Sequence, residues 1–322
     1  LEKESKSIFE EFDIKNYSGE TGVSRQYFGI AGITVCVEQG PDAGNISFNK
    51  KFKQFAEEGP GRDNVILRYH FRLPDLGGKD LGREIYHRLP WAVYRKENGW
   101  VYLGIVEEGK GERVYRVGIF NKDYTRGMIY GSPVETETGS GTGKSALSLF
   151  PTDQVWIAPL LADRNAFYLH SSAAIINGKG LIFVGHSGAG KSTTLRMLEG
   201  RAEILCDDRN ILRRWDCGWK VHGTWSHGEL PYVSSSSAPL HSVLILTKDT
   251  CNRIERITDK MGVWKLLLTT IVKPVVTSEW WQKELDAMEK LIDEVPVYRM
   301  HFDKSGEILE VLEDLTKKNK VL

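Results

Sequence analysis

Cysteine is scarce: there are 4 in 322 residues, at Cys36, Cys206, Cys217 and Cys251, and no two form a CxxC pair. That scatter excludes a disulfide scaffold and a zinc ribbon, and fits reduced thiols in a reducing compartment. An excess of charge of one sign is also missing, because 43 Lys+Arg balance 43 Asp+Glu. No net field draws such a molecule onto nucleic acid or an anionic membrane, so neither is expected as a partner. Long apolar runs are lacking too: the stretches 263–268 and 271–276 are broken by Lys265, or by Lys273 and Pro274, and fall short of the roughly 20 residues that span a bilayer. The opening LEKESKSIFEEF carries charges where a secretory signal has its apolar core. A cytoplasmic chain is expected. With 41% apolar and 27% charged residues, this length suits about two domains with real cores, and association into a homo-oligomer is left open.

Between about Tyr27 and Tyr130 the chain offers short β-like runs, GIAGITVCV, NVILRYHFRL, LPWAVYRK, GWVYLGIV and RVYRVGIF, punctuated by Gly, Pro and Asn/Asp. This half reads as an antiparallel β-rich domain. The polar tract 136–145, TETGSGTGKS, suits a linker, which divides the chain into 1–145 and 146–322. The second half is mixed α/β. DQVWIAPLLAD has helical spacing, and FYLHSSAAIING with GKGLIFVG reads as a hairpin turning at Asn177-Gly178. KSTTLRMLEG reads as a short helix closed by Gly200, with AEILC, NILRRW and SVLILTK as strands. Helices are expected over 260–272, 278–293 and 305–318, and a strand over 295–301, with Trp264, Trp280 and Trp281 packed on helix faces.

The strongest motif is Gly185-His186-Ser187-Gly188-Ala189-Gly190-Lys191-Ser192, a complete GxxxxGK[ST] string followed by Thr193. It comes after the apolar run 181–184 and before a helix-like segment, the context a P-loop requires. Backbone N–H groups from Gly185, Ser187, Gly188, Ala189, Gly190 and onward to Thr193 can then curl around phosphate oxygens at a helix N-terminus. Lys191 reaches the β/γ-phosphates and Ser192 offers its hydroxyl to Mg²⁺, so ATP and Mg²⁺ are the expected cofactors. A near-copy ends at Gly143-Lys144-Ser145, but Thr138 stands where its first glycine belongs, and no apolar strand precedes it. It is read as linker.

Sixteen residues beyond Lys191 come Asp207 and Asp208, placed at the end of the apolar strand 204–206. Strand ends beside a phosphate loop are where ligands collect, and at a frayed end both carboxylates can turn to one cleft. One would serve the Mg²⁺ shell, and the other would take the proton from an incoming hydroxyl. No LSGGQ signature follows, which argues against a transporter-type ATPase.

Leu169-His170 ahead of the hairpin, GHSGAGKST, and Cys206-Asp207-Asp208-Arg209 together resemble the HPr kinase/phosphorylase family, whose P-loop core is shared with the phosphoenolpyruvate carboxykinases. The likeness covers residues 167–248. It implies a mixed α/β P-loop kinase domain of HPr kinase/PEP carboxykinase type, here preceded by a β-rich N-terminal domain. It implies transfer of the γ-phosphoryl of ATP to a serine of a protein or peptide. Lys191 and Ser192 would match the phosphate and metal residues, Asp207 the acid nearer Mg²⁺, Asp208 the base and His170 a histidine at the transfer site. Arg209 would neutralise charge on the transferred group. After the acidic pair the sequence departs from the family: His222-Gly223-Thr224-Trp225-Ser226-His227-Gly228-Glu229 replaces its glycine-rich signature. In this it looks more like divergent relatives that act as tailoring kinases on peptides or small molecules.

The segment 221–237 could close over the substrate hydroxyl, but it is read as a solvent-facing loop, and the spacing of His222, His227 and Glu229 matches no metal motif. Cys206 is read as packing, its reactivity damped by the neighbouring carboxylates. Two rival functions stand beside the serine kinase. One is a small-molecule or carboxykinase-like phosphotransferase on the same core, and the other is a non-catalytic ATP-binding adaptor in a peptide-modification system.

Overall fold

Residues 7–11, 23–39, 48, 50–131, 153–273 and 277–317 are described by the computed structural model. The tract 136–145, with its near-copy of the phosphate loop and the boundary placed at 145, lies outside them. The chain forms two compact units, Leu1–Leu160 and Leu161–Leu322.

The first unit holds a short helix α1 (Ile8–Glu11) and strands β1 (Ser24–Ile30), β2 (Ile33–Gln39), β3 (Ala56–Glu57), β4 (Asn64–His70), β5 (Arg83–Arg88), β6 (Trp91–Lys96), β7 (Gly99–Glu108), β8 (Gly111–Asn121) and β9 (Arg126–Gly131). They form one nine-stranded sheet in the order β3-β1-β2-β4-β9-β8-β7-β6-β5. Three expectations need correction. GIAGITVCV is not one strand: Ala31 and Gly32 take positive φ, 49° and 78°, and fold it into a two-residue hairpin between β1 and β2. The sheet is not purely antiparallel either, because β4 runs parallel to both β2 and β9. And β5, absent from the sequence reading, is an edge strand whose residues REIYHR are mostly exposed; an edge tolerates charge that a central strand does not. In β4 the alternate residues Val65, Leu67 and Tyr69 are buried, while β2 is buried along its whole length. Arg68 and Glu38, opposite each other in the register, form a buried ion pair at 2.9 Å that Arg25 extends on the next strand.

At the end of the first unit a π-helical turn (Asp153–Ile157) runs into α2 (Ala158–Ala162), where a single α-helix was expected. There follow β10 (Ala166–Ile176), β11 (Lys179–Val184), α3 (Lys191–Leu198), β12 (Glu203–Cys206), β13 (Arg209–Trp215), β14 (Gly218–His222), β15 (Ser237–Lys248), β16 (Arg253–Arg256), α4 (Lys260–Thr270), α5 (Ser278–Glu294), β17 (Val297–Phe302) and α6 (Ile308–Lys317). The β10–β11 hairpin turns at Asn177-Gly178, both with positive φ. β11, β15 and β17 lie side by side and parallel, so their carboxyl ends share one edge. β11 also pairs with β10, and β10, β13, β14 and β15 pair in succession; the five strands close a ring. Helix starts follow from their caps, with the Asp259 and Thr277 side chains accepting from Gly262 N and Trp280 N. The apolar faces of α4 and α5, including Leu267, Trp280, Met288 and Leu291, pack with Leu169, Leu212 and Val243. Leu195 and Leu198 of α3 pack instead with Leu244, Met300 and Leu312.

Candidate active site

The GxxxxGK[ST] string sits where the sequence places it, between β11, buried from Gly180 to Val184, and α3, which begins at Lys191. Gly188 and Gly190 have φ of 80° and 107°, in the left-handed region. Gly190 is doubly constrained, since a Cβ there would stand 2.7 Å from the Phe302 ring. No side chain caps α3, whose N-cap is Gly190 itself, so its first amides face the loop. Lys191 is buried and donates to the carbonyls of Gly185 at 3.0 Å and His186 at 3.4 Å. Burial lowers its pKa, opposed by the charge of Asp208. Ser192 and Thr193 are half-buried, while His186, Ser187 and Gly188 are exposed.

The acidic pair follows directly on the end of β12 at Cys206, as the sequence places it, and β13 begins at once after it. β12 and β13 both run antiparallel to β10 in nearly one register, Cys206 opposite Ala173 and Arg209 opposite His170. Asp207 and Asp208 are a kink within that path, level with Ser171 and Ser172. There β10 changes neighbours: Ser171 pairs with Val184 of β11 and donates its amide to the carbonyl of Asp208 at 2.9 Å. The kink therefore lies at the strand edge from which the 185–190 loop springs. Its loose amides are satisfied by a thiol, as Asp208 N and Arg209 N donate to Cys206 Sγ at 3.4 and 3.3 Å. Cys206 is thus more than packing; burial pushes its thiol up to about 11.

The two carboxylates have different partners. His170 Nδ1 lies 3.1 Å from Asp208 Oδ1, and Arg209 Nε lies 3.3 Å from Oδ2. The His170 contact, with the charges of Arg209 and Lys191, holds the Asp208 carboxyl below its ordinary value despite partial burial. Asp207, expected to turn into the same cleft, is 4% exposed. Its Oδ1 and Oδ2 accept the amides of Gly228 and Leu230, each at 2.7 Å. The two carboxylates thus have separate partners, main-chain amides for Asp207 and side chains for Asp208.

The segment 221–237 is not a solvent-facing loop throughout: residues 221–226, Leu230 and Ser234 are buried, while the tip 227–229 and Pro231, Ser235 and Ser237 are exposed. His222 is depressed to about 4 by burial, with Arg213 and Lys220 adding to the effect. Among the described residues no cluster of three His, Cys, Asp or Glu could hold a metal. Sequence reasoning missed the Gly228 and Leu230 amides, because main-chain donors leave no letter in a sequence. It also missed a polar network at the carboxyl ends of β15 and β17, where His301 Nδ1 meets Asp249 at 2.8 Å and Arg253 stands beside both. The string LTKDT…RMHFD offered no spacing to reveal it.

The arrangement can cradle a polyphosphate on main-chain amides and Lys191, and can place a carboxylate, an imidazole and a guanidinium within reach of one another. The family model described as "ScmC: SynChlorMet cassette protein ScmC" matches residues 154–317, and the chain belongs to this family. Among solved structures, the Hpr(Ser) kinase/phosphatase from Coxiella burnetii is similar over 47% of this chain and 93% of that one, at 12% identity and a TM-score of 0.27. No curated protein matches the chain. Among the described residues no helix is long and apolar enough to cross a membrane.

Proposed function

We propose that this ScmC-family chain is an ATP-dependent kinase that transfers the γ-phosphoryl group to a hydroxyl, the acceptor being a serine of a protein or peptide. One observation carries the reading: Ser171 joins the phosphate-loop strand to the Asp208 kink, pairing with Val184 on one side and donating to Asp208 on the other. That register supports the reading, because it brings the loop following Val184 and the Asp208 carboxylate to the same strand edge.

The residues fit the nucleotide. Left-handed φ at Gly188 and Gly190 and an uncapped α3 turn amides toward an anion. Lys191 contributes the charge that neutralises the β/γ-phosphates, and the Ser192 hydroxyl would hold Mg²⁺ together with phosphate oxygens, as this ion keeps few protein ligands. Bound Mg²⁺ supplies further neutralisation of the charge on the transferred group. Asp208, ionised at neutral pH and fixed by His170 and Arg209, orients the acceptor hydroxyl and receives its proton. Arg209 draws charge off the transferred group. Catalysis is mainly positioning and electrostatics. A family described as a cassette protein suits a kinase whose acceptor peptide comes from the same set.

Calorimetry with Mg²⁺ and ATP, followed by γ-labelled ATP offered to protein and metabolite fractions, tests the proposal. Heat of binding, label in a protein band, and an Asp208→Asn variant that keeps the nucleotide but loses about 10²-fold or more in transfer are expected. Label confined to the metabolite fraction points to a small-molecule kinase. Unchanged partner binding by Asp208→Asn, with no transfer by wild type, points to an adaptor. No heat at all ends the reading.

A further inference from the structure

We infer that Asp207 is a positioning residue, which fastens the loop 223–236 as a wall of the acceptor subsite and does not ligate the metal. This rests on the kinase reading above. The loop is closed at its base by the His222–Ser237 pair and by Gly223 N donating to Ser236 O at 3.0 Å, the close ends of an Ω-loop. Its interior is built on the kink. Val233 bridges to Cys206, the Cys206 thiol meets Ser226 O, and Thr224 Oγ1 donates to Arg209 O at 2.6 Å and accepts from Ser226 N. Asp207 holds the two amides at 228 and 230. Charge-assisted bonds of this length are the strong ones, and together they occupy both carboxylate oxygens on the loop side.

Two outer contacts tie the same loop to α3: Glu229 pairs with Arg196, and Tyr232 with Glu199. The exposed tip therefore stands between the phosphate-loop helix and Asp208. Gly228 comes close to the acidic pair: a Cβ there would lie 3.4 Å from Asp208 Cβ and 3.4 Å from Asp207 Oδ2. A hydroxyl approaching Asp208 meets this tip on one side and His170 on the other.

The test compares full-length wild type, Asp207→Asn and Arg196→Ala, the last loosening the loop without touching the kink. The probes are Mg²⁺, a fluorescent ATP analogue, and N-acetylserinamide as acceptor. In Asp207→Asn, amide exchange in 224–230 is expected to rise about tenfold or more, while the Mg²⁺ midpoint for analogue binding stays within about twofold. For both variants KM for N-acetylserinamide is expected to rise with kcat retained within about threefold. A Mg²⁺ midpoint raised about tenfold in Asp207→Asn, whatever the exchange does, assigns the carboxylate to the metal and overturns the inference. Unchanged exchange overturns it equally. If wild type binds no nucleotide, the kinase reading fails, and the exchange arm still decides whether Asp207 fastens the loop. Should Asp207→Asn fail to fold, Arg196→Ala carries the test, and an unchanged KM in it sinks the proposal.

Discussion

His170 Nδ1 faces Asp208 Oδ1 at 3.1 Å across a register in which His170 is paired with Arg209. The imidazole is the largest cause of the lowered Asp208 pKa, ahead of Arg209 and Lys191, while partial burial works the other way. A depressed carboxyl keeps its charge above its folded pKa and loses it only as pH falls through that value. Removing the imidazole leaves burial less opposed. In His170→Ala the acid limb of the kcat/KM profile for phosphoryl transfer is therefore expected to move to higher pH. An acid limb that stays in place would mean that Asp208 titration does not govern transfer.

Gly190 has a left-handed backbone and no room for a Cβ against Phe302. Gly190→Ala is expected to cost about 1–3 kcal/mol in backbone strain alone, with the ring clash added, and to abolish binding of the ATP analogue. Phe302→Leu in the same background relieves the clash but not the strain. Partial recovery of thermal stability without recovery of binding is the expected pattern by calorimetry.

Glu284 lies within the apolar face of α5, 1% exposed, and one carboxyl oxygen has no partner. Burial raises its pKa well above the ordinary glutamate value. The folded state thus holds a proton that the unfolded chain gives up near its ordinary value of 4.5. Stability falls as pH climbs from there to the raised folded pKa, and the full penalty applies above it. Glu284→Met is expected to stabilise the protein at neutral pH by about 1–3 kcal/mol and to flatten this pH dependence. Denaturant midpoints at pH 4 and pH 8 measure it; equal shifts at both would contradict the sign.

Cys217 and Cys251 are exposed, whereas Cys36 and Cys206 are buried with thiols pushed up to about 11. At pH 8 only about one in a thousand of such buried thiols is ionised. Native protein is expected to release two equivalents of thionitrobenzoate quickly, and the other two only on unfolding. Fast labelling of Cys206 would show that the kink opens in solution.

Local rules made much of the second unit legible. The Asn177-Gly178 turn, the phosphate-loop string between strand and helix, and the three late helices each depend on residues close in sequence, and each is found within a few positions of where the pattern puts it. The first unit was less legible. Parallel pairing of β4 with β2 and β9 is a choice among distant partners, and no alternation of side chains records it.

The sequence by itself determined that Asp207 and Asp208 follow an apolar strand sixteen residues beyond the phosphate-loop lysine, and that His170 precedes a hairpin. Only the tertiary structure decided that the acids form a kink along β10, that Asp208 meets His170, and that Asp207 is taken by the amides of Gly228 and Leu230. The reason is physical. Turns, caps and helical faces are fixed by contacts within a few residues, whereas a carboxylate's partner is whichever donor the chain brings back to it, and here those donors are main-chain N–H groups that every residue but proline carries.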